Sequence, residues 1–332
     1  MRFSVVELVV SVKRAYWASQ GLKSRRIELS NGSTMHCLVK TSASSPPKPA
    51  VLLVHGFGAD GLSGWDKQIG ALGKHFDLYI PDLLFFGEST TRSSERSEIF
   101  QAECVKNMLD CLQVKSVMVV GHSYGGFVGF WMAHRFPELV RCLVIVSSGV
   151  CMTPSSNDDL LKEIGASDIR DVLLPRNVQD FKKCINHTVY KMPWLPNFIY
   201  KDFMESKGGR RNERLELFDG IVIGSKNAHP LPTLVQEVLI IWGKNDKIFK
   251  LQEAHAIQRH IGEKAKLVVI EECGHVPSIE KPAELNEQLL KFLLDIEKSQ
   301  TEMIQQTPKN SKQIYRRSTG LGEDDNSFET SN

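Results

Sequence analysis

Short apolar runs alternate with stretches of helical periodicity along most of the chain. Four runs have a continuous apolar centre, as expected for strands that are buried on both faces of a parallel sheet: AVLLVHG from Ala50, SVMVVG, RCLVIVSS and VQEVLIIWG. Between the first two, Trp65, Ile69 and Leu72 recur at the spacing of one helical face. The alternation predicts an α/β fold with a parallel sheet that carries helices on both faces.

Two flanking segments extend this pattern. Apolar residues alternate on either side of Asn31-Gly32 in IELSNGSTMHCLV, which predicts a β-hairpin. After the last continuous run, the periodicity predicts a helix over 251–261, a strand in KLVVIE and a final helix over Ala283–Ile296. We therefore expect the sheet domain to comprise residues 25–148 and 235–298.

The alternation is interrupted between these two parts. Residues 149–234 contain helical patterns separated by prolines, and they are rich in large apolar side chains. These side chains are Leu173, Leu174, Phe181, Met192, Trp194, Leu195, Phe198, Ile199 and Phe203. We predict a mostly helical lid, or cap, inserted over the sheet, in which most of these side chains hold the lid itself together.

The two ends of the chain differ from the sheet domain. Residues 1–24 predict a helical extension, because apolar residues recur there at helical spacing: Val5, Val9, Val12 and Tyr16. Packing of this helix on the domain or lid is the preferred interpretation, and a helix lying on a membrane surface is the alternative. No run reaches the roughly 18 apolar residues of a membrane span. Residues 299–332 are polar and aperiodic, which predicts a disordered tail.

Composition narrows the function classes. The chain of 332 residues has 41 Lys and Arg against 39 Asp and Glu, so its net charge of +2 argues against a nucleic-acid partner. Its seven cysteines show no paired spacing, which favours free thiols in a reducing compartment over disulfides or a zinc site. We therefore expect a cytoplasmic protein, with peripheral membrane contact as the alternative, and neither a metal nor a cofactor.

The most informative motif is Gly121-His122-Ser123-Tyr124-Gly125, which directly follows an apolar strand and precedes a helix. A strained strand-to-helix turn needs small residues two before and two after the serine, so that strand and helix can approach. The N-terminus of the helix would then offer backbone N–H groups to a developing oxyanion. In this context we expect Ser123 to be a catalytic nucleophile.

A second glycine-rich segment, His55-Gly56-Phe57-Gly58, ends the first continuous strand. Its loop can present the N–H of Phe57 beside that of Tyr124, and two such donors would form an oxyanion hole. His55 itself is expected to be a structural hydrogen-bonding residue at a tight turn.

A nucleophilic serine needs a base, and the base needs an orienting group. His275 lies in a Gly/Pro loop just beyond the strand KLVVIE, and Asp246 lies in the equivalent loop after VLIIW. Catalytic groups of open α/β sheets gather at the carboxyl ends of the strands. We predict a triad of Ser123, Asp246 and His275.

Five motifs in this order resemble the α/β-hydrolase superfamily: HGFG, PDLLFFGES, GHSYGG, WGKNDKIF and ECGHVPSIEKP. The resemblance covers about residues 25–296 and implies an α/β-hydrolase fold, with a mostly parallel eight-stranded sheet, helices on both faces and an inserted helical lid. Within the superfamily, the chain most resembles plant abhydrolase-type proteins similar to monoacylglycerol lipases and to meta-cleavage C–C hydrolases. The stretch LLVHGFGADGLSGWDKQIGALGKHFDLYIPDLLFFGES and the start of the lid, LLPRNVQDF, carry this closer likeness.

The resemblance implies three functions to be distinguished. The leading expectation is a serine hydrolase acting on an uncharged or weakly charged carboxylic ester, such as a monoacylglycerol or another medium or long acyl ester. The first alternative is a C–C bond hydrolase of the meta-cleavage type, in which Arg176 or Lys191 of the lid would hold a substrate carboxylate, although both are expected on its solvated face. The second alternative is a slow-turnover ligand-binding or hormone-receptor member of the fold. The sequence leaves the oligomeric state open.

Overall fold

Eight strands form one sheet in a computed structural model, which describes residues 4–42, 47–192, 194–207, 209–225 and 230–306. The strands are β1 (Lys23–Glu28), β2 (Thr34–Lys40), β3 (Ala50–Val54), β4 (Asp77–Pro81), β5 (Val117–His122), β6 (Val140–Val146), β7 (Glu237–Gly243) and β8 (Ala265–Ile270). Their order is β1-β2-β4-β3-β5-β6-β7-β8. Only β2 runs antiparallel to its neighbours, β1 and β4, and the other pairs are parallel. The prediction of a mostly parallel eight-stranded sheet is confirmed.

Helices connect the strands at the places where the periodicity predicts them. Those before the insertion are α1 (Val5–Ser19), α2 (Gly61–Leu72), α3 (Glu98–Cys111) and α4 (Tyr124–Arg135). Between β6 and β7 lie α5 (Pro154–Ile164), α6 (Ile169–Leu173), α7 (Val178–Thr188), α8 (Asn197–Lys207) and α9 (Arg211–Asp219). The last are α10 (Leu251–Ile261), α11 (Pro277–Glu280) and α12 (Pro282–Gln306). The inserted region is thus helical, as predicted, and residues 149–234 are called the insertion below.

The continuous apolar runs are the central strands, and burial on both faces explains why they do not alternate. All six residues of β5 are buried, and β6 is buried at every position except Arg141. Helices α3 and α4 pack together on one face of the sheet, in a core cluster that includes Leu52 and Val119. The Trp65 and Ile69 side chains of α2 are fully buried outside that cluster. Burying large apolar side chains contributes about 2 kcal/mol each. The packed helices hold the parallel strands in place, and the carboxyl ends of these strands lie together at one edge of the sheet.

One side of helix α1 packs against α2 and α8, and another side is exposed. The N–H of Val6 donates a hydrogen bond of 2.8 Å to the carboxylate of Asp202 in α8. The ring of Trp17 lies against Gly70 of α2, where an added Cβ would be 3.3 Å from the ring. The helix therefore packs on both the core and the insertion, which is the preferred sequence interpretation. No helix among the described ranges is long and apolar enough to cross a membrane.

The C-terminal helix ends later than expected. The predicted final helix stops at Ile296, but α12 continues to Gln306, so residues 299–306, which the sequence assigns to a disordered tail, are helical. No Gly or Pro occurs between Pro282 and Pro308, and a polar segment can continue a helix that is already nucleated. Residues 307–332 lie outside the described residues, and the tail there stays a prediction. The described residues divide into two units after Phe292, and the second unit consists of the C-terminal part of α12, residues 293–306.

A buried carboxylate fastens the end of the insertion to the core. Glu98, at the start of α3, is fully buried, and its carboxylate accepts hydrogen bonds from the N–H groups of Val222 (2.9 Å) and Ile223 (2.8 Å). Backbone donors in a buried site lose their hydration on folding, so they require such a partner. Glu98 therefore anchors the chain that follows α9.

Replacement of Glu98 by alanine is expected to lower the free energy of unfolding by about 2–4 kcal/mol, because one buried and one partly buried N–H group lose their acceptor. Chemical denaturation monitored by circular dichroism measures this loss. Glu103→Ala is the matched control on the same helix, since Glu103 forms a half-exposed ion pair of 2.8 Å with Arg135, which is worth less than about 1 kcal/mol. Equal stability losses in the two variants would contradict the anchoring role.

Candidate active site

Ser123 lies on the strained turn between β5 and α4. Its φ of 52° and ψ of −120° fall outside the ordinary regions for a side chain other than glycine. The flanking glycines permit the turn: a Cβ on Gly121 would lie 2.3 Å from the carbonyl oxygen of Gly125, and a Cβ on Gly125 would lie 2.3 Å from that of Val54. The close approach of strand and helix is therefore possible only with glycine at these two positions. The turn has the geometry of a nucleophile elbow.

The three residues of the predicted triad are brought together, although they lie far apart in the sequence. The Nε2 atom of His275 is 2.9 Å from Oγ of Ser123, and its Nδ1 atom is 2.9 Å from Oδ2 of Asp246. All three residues are buried. With Nδ1–H donating to Asp246, Nε2 is free to accept the proton of the serine hydroxyl, which is the arrangement a general base requires.

The carboxylate of Asp246 is held by its other oxygen. Oδ1 accepts hydrogen bonds from the N–H groups of Ile248 (2.8 Å) and Phe249 (3.0 Å), both in the same loop after β7. The side chain is fully buried, so each carboxylate oxygen has a protein donor in place of water. Because Oδ1 is fixed by the backbone, Oδ2 faces the imidazole in one orientation.

His122, inside the pentapeptide, contacts the main chain of the candidate base. Its Nε2–H donates a hydrogen bond of 2.8 Å to the carbonyl oxygen of His275. Burial, with a contribution from the nearby His275, lowers the pKa of His122 to about 3. The ring is therefore neutral at physiological pH. It serves as a fixed donor that joins β5 to the loop that carries His275, residues 271–276, which is called the histidine loop below.

Acid is expected to destabilise the fold through His122. The unfolded chain binds a proton at the ordinary pKa of 6.5, whereas the folded chain binds it only near 3, so stability is lost as the pH falls through this window, at about 1.4 kcal/mol per pH unit. Unfolding free energies measured at several pH values between 6.5 and 4 test this. His122→Gln keeps an uncharged donor, and its stability is expected to fall less steeply with acid. Identical slopes would contradict the assignment to His122.

Phe57 and Tyr124, the candidate oxyanion-hole residues, lie on the two segments that meet at Ser123. Their rings are 6.4 Å apart. The preceding residue, Gly56, approaches the serine so closely that an added Cβ would be 3.1 Å from the Ser123 Cβ. Both predicted N–H donors are thus carried by backbone that borders the nucleophile.

His55 stabilises this loop from inside. Its Nδ1–H donates a hydrogen bond of 2.8 Å to the carbonyl of Gly56, and its Nε2 accepts one of 2.9 Å from the N–H of Leu83. Burial lowers the pKa of His55, which keeps the ring in the neutral form that can both donate and accept. Its hydrogen bonds are thus both to backbone groups, as expected for a structural residue at this turn.

Aromatic side chains lie beside the histidine of the triad and beside the candidate oxyanion loop. Phe218 of α9 packs on Phe57 with ring centroids 4.3 Å apart, and Phe249 lies 5.6 Å from the ring of His275. Phe127 of α4 is 6.2 Å from Phe249. The insertion therefore contributes at least one apolar side chain directly beside the candidate oxyanion loop, in surroundings that favour an uncharged ligand.

Other candidate residues are not brought to this site. Arg176 and Lys191 have more than two thirds of their side chains exposed and form surface ion pairs with Asp171 and Glu272. All seven cysteines are free thiols, and burial raises the pKa of Cys273 to about 12, so the thiol nearest His275 in sequence is not an activated nucleophile. Within the described ranges, no three His, Cys, Asp or Glu side chains come together as a metal site.

Two contacts to the histidine loop escape sequence reasoning. The N–H of His275 donates to the carbonyl of Thr188 at the end of α7, and Glu280 accepts hydrogen bonds from the same loop. Thr188 is 87 residues from His275 in the chain, and it belongs to no local pattern. Glu280 lies inside the motif ECGHVPSIEKP, and this position is the signal that could have pointed to it.

Comparison with known proteins agrees with the observed fold. A family model of the alpha/beta hydrolase fold matches residues 49–181, which include Ser123. Lipase 1 of Psychrobacter immobilis is 27% identical, over 78% of this chain and 80% of the lipase. Monoacylglycerol lipase ABHD6 of Homo sapiens is 26% identical, over 75% of this chain and 76% of that protein.

A C–C hydrolase and a solved structure are also similar. The 2-hydroxy-6-oxononadienedioate/2-hydroxy-6-oxononatrienedioate hydrolase of Pseudomonas sp is 26% identical, over 73% of this chain and 87% of the hydrolase. The crystal structure of a membrane phospholipase A, a bacterial virulence factor, superposes with a TM-score of 0.74 at 24% identity, covering 88% of this chain and 92% of that one. The chain therefore has the α/β-hydrolase fold and is distantly related to lipases and C–C hydrolases. These relatives are bacterial and human, so they do not support the plant part of the resemblance.

Proposed function

We propose that the chain is a serine hydrolase that cleaves carboxylic esters through an acyl-enzyme on Ser123. The observation that carries this proposal is the continuous hydrogen-bonded chain from Asp246 through His275 to Ser123, which ends at a strained elbow. The distant likeness to lipases supports the same chemistry. Neither a metal nor a cofactor is needed for it.

The proposed reaction has two similar halves. Nε2 of His275 accepts the hydroxyl proton as Oγ of Ser123 attacks the ester carbonyl, and the same nitrogen then donates that proton to the leaving alcohol. The N–H groups of Phe57 and Tyr124 would stabilise the oxyanion, each contributing about 3 kcal/mol to the lowering of the barrier. Water then attacks the acyl-enzyme by the same route and releases the acid.

An apolar acyl group is the substrate feature that the site favours. Phe57, Phe218 and Phe249 present aromatic surface beside the triad, and an acyl chain buried there gains about 0.8 kcal/mol per CH₂. A monoacylglycerol, or another medium or long acyl ester, fits this environment. The insertion would act as a lid over such a chain.

Cleavage of a C–C bond is the second candidate, because a meta-cleavage-type hydrolase is 26% identical to this chain. Such a substrate carries a carboxylate, and the two lid cations that this alternative would use to hold it, Arg176 and Lys191, are exposed and paired with surface carboxylates. This arrangement favours the ester over the diketone.

One experiment separates the candidates. A fluorescent fluorophosphonate should label the wild-type protein at Ser123, and a series of p-nitrophenyl esters and monoacylglycerols should then give multiple turnovers with a preference for one range of chain lengths. Turnover of a vinylogous diketone without ester turnover would identify the C–C hydrolase. Labelling without multiple turnovers of any substrate would identify the ligand-binding or receptor alternative and overturn the proposal.

Peripheral membrane contact through α1 remains part of the proposal. Leu8, Val9, Val12 and Tyr16 lie along one stripe of the helix and are each about half exposed, which is the pattern of a helix that lies in an interface. Wild-type protein should sediment with phosphatidylcholine vesicles that contain phosphatidylserine, and Val12→Glu should reduce the bound fraction several-fold. Ser11→Glu, on the polar side of α1, is the control. Equal binding by the two variants would contradict the contact.

A further inference from the structure

The insertion and the histidine loop are joined by backbone hydrogen bonds. The carbonyl oxygen of Thr188 accepts a bond of 2.8 Å from the N–H of His275. Two residues later, the N–H of Tyr190 donates a bond of 2.7 Å to Oε2 of Glu280. Glu280 ends the short helix α11, which directly follows the histidine loop. The segment after α7 therefore lies along the loop that carries the candidate base.

The carboxylate of Glu280 bonds to both sides of this junction. While Oε2 faces the insertion, Oε1 accepts hydrogen bonds from the N–H groups of Gly274 (3.1 Å) and Val276 (3.2 Å). The N–H groups of three consecutive residues, 274 to 276, are thus taken by Glu280 and Thr188. Since the carbonyl of His275 is held by His122, the peptide groups on both sides of the imidazole are fixed.

Gly274 shows how closely the two segments approach. An added Cβ at this position would lie 2.7 Å from the backbone nitrogen of Tyr190 and 2.8 Å from the carbonyl oxygen of Thr188. Contacts this short with backbone atoms could be relieved only by moving one of the segments. The junction is therefore a packed contact that any displacement of residues 188–190 would open.

We propose that Glu280 is a positioning residue for His275, and that residues 188–190 of the insertion help to hold this imidazole in its catalytic position. The inference rests on the proposed function, in which Nε2 of His275 must stay within hydrogen-bond reach of Ser123. A misplacement of about 1 Å can cost a factor of about 100 in rate. By this geometry, a single carboxylate links the position of the insertion to the orientation of the candidate catalytic histidine.

Two substitutions at Glu280 separate its two contacts. Glu280→Ala removes the acceptor from both segments. In Glu280→Gln, the amide oxygen can remain on Gly274 and Val276, but the NH₂ group that replaces Oε2 cannot accept from the N–H of Tyr190. The matched control is Glu284→Gln, because Glu284 is half exposed and forms a surface ion pair of 3.7 Å with Lys281.

The experiment measures kcat and KM for a short, soluble p-nitrophenyl ester, with active sites counted by fluorophosphonate titration. Per active site, Glu280→Ala should lower kcat by about 30- to 100-fold and change KM by less than about threefold. Glu280→Gln should lower kcat by about 3- to 10-fold and raise the amide exchange of a peptide spanning residues 185–192, measured by mass spectrometry. Glu284→Gln should match the wild type in all three measurements.

Counting active sites separates positioning from simple instability, which would reduce the number of titrated sites and leave kcat per site unchanged. A kcat of Glu280→Ala within twofold of the wild type, or a change confined to KM, would overturn the inference. If Glu280→Ala does not fold, an unchanged kcat and unchanged exchange in Glu280→Gln would overturn it equally. A wild type that neither labels nor turns over would instead refute the proposed function on which the inference depends.

Discussion

Ser123→Ala is expected to reduce ester turnover by about 10⁴- to 10⁶-fold, because the variant has no atom that can form the acyl-enzyme. The residual rate would come from substrate binding and from the oxyanion donors, which the substitution leaves in place. Oγ makes its hydrogen bond to His275, so its removal costs little of the packing around the elbow. The measurement is kcat/KM over a series of p-nitrophenyl esters, with fluorophosphonate labelling of the same preparation.

The control for this variant is a serine outside the site. Ser155 is exposed at the start of α5, and Ser155→Ala should retain full turnover and full labelling. The Ser123→Ala protein should lose labelling completely while its unfolding midpoint stays close to that of the wild type. Turnover within tenfold of the wild type in Ser123→Ala would refute the assignment of the nucleophile.

Asp246→Asn should lower kcat by about 10³- to 10⁴-fold, with little change in KM. The N–H groups of Ile248 and Phe249 fix the oxygen of residue 246 at the Oδ1 position, so the new NH₂ group must face His275. Nδ1 of the imidazole then becomes the acceptor, and the ring proton moves to Nε2. In that tautomer Nε2 cannot accept the proton of Ser123, even though every heavy atom is in place.

An exposed aspartate provides the comparison for Asp246→Asn. Asp159 forms a surface contact with Lys162 at 4.0 Å, so Asp159→Asn should leave both kcat and KM unchanged. A kcat for Asp246→Asn within tenfold of the wild type would show that the tautomer is set by something other than this carboxylate. The unfolding midpoint of the variant should be measured in parallel, since a disrupted loop after β7 would also lower the rate.

The sheet and its catalytic edge could be predicted because their signals are local. A strand buried on both faces must be continuously apolar, and a strained elbow must have glycines at fixed offsets from Ser123. His275 and Asp246 follow in the loops after β8 and β7, where the topology brings the strand ends together. Each of these statements depends on fewer than a dozen neighbouring residues, so a single sequence contains it.

The attachments of the insertion could not be predicted, because they join residues that lie far apart in the sequence. Glu98 bonds to backbone groups 124 and 125 residues away, and Tyr190 bonds to a carboxylate 90 residues away. The sequence pattern around a glutamate that accepts hydrogen bonds from backbone N–H groups does not differ from the pattern around a glutamate exposed to solvent. The predicted end of α12 was too early because it was placed where the apolar pattern ends. A polar segment can stay helical, and no Gly or Pro interrupts the chain before Pro308.

The insertion is attached at the histidine loop and at Glu98, and we expect its parts to tolerate substitution differently. Thr188 and Tyr190 belong to the candidate catalytic machinery through the histidine loop, and Val222 and Ile223 are tied to Glu98. The stretch from 191 to 221, which includes α8 and α9, lies between these fixed points. A chimaera that exchanged this stretch for the corresponding part of another hydrolase would replace Phe218 beside the candidate oxyanion loop and retain the contacts of Thr188 and Tyr190, whereas one cut at the ends of β6 and β7 would lose both anchors at once.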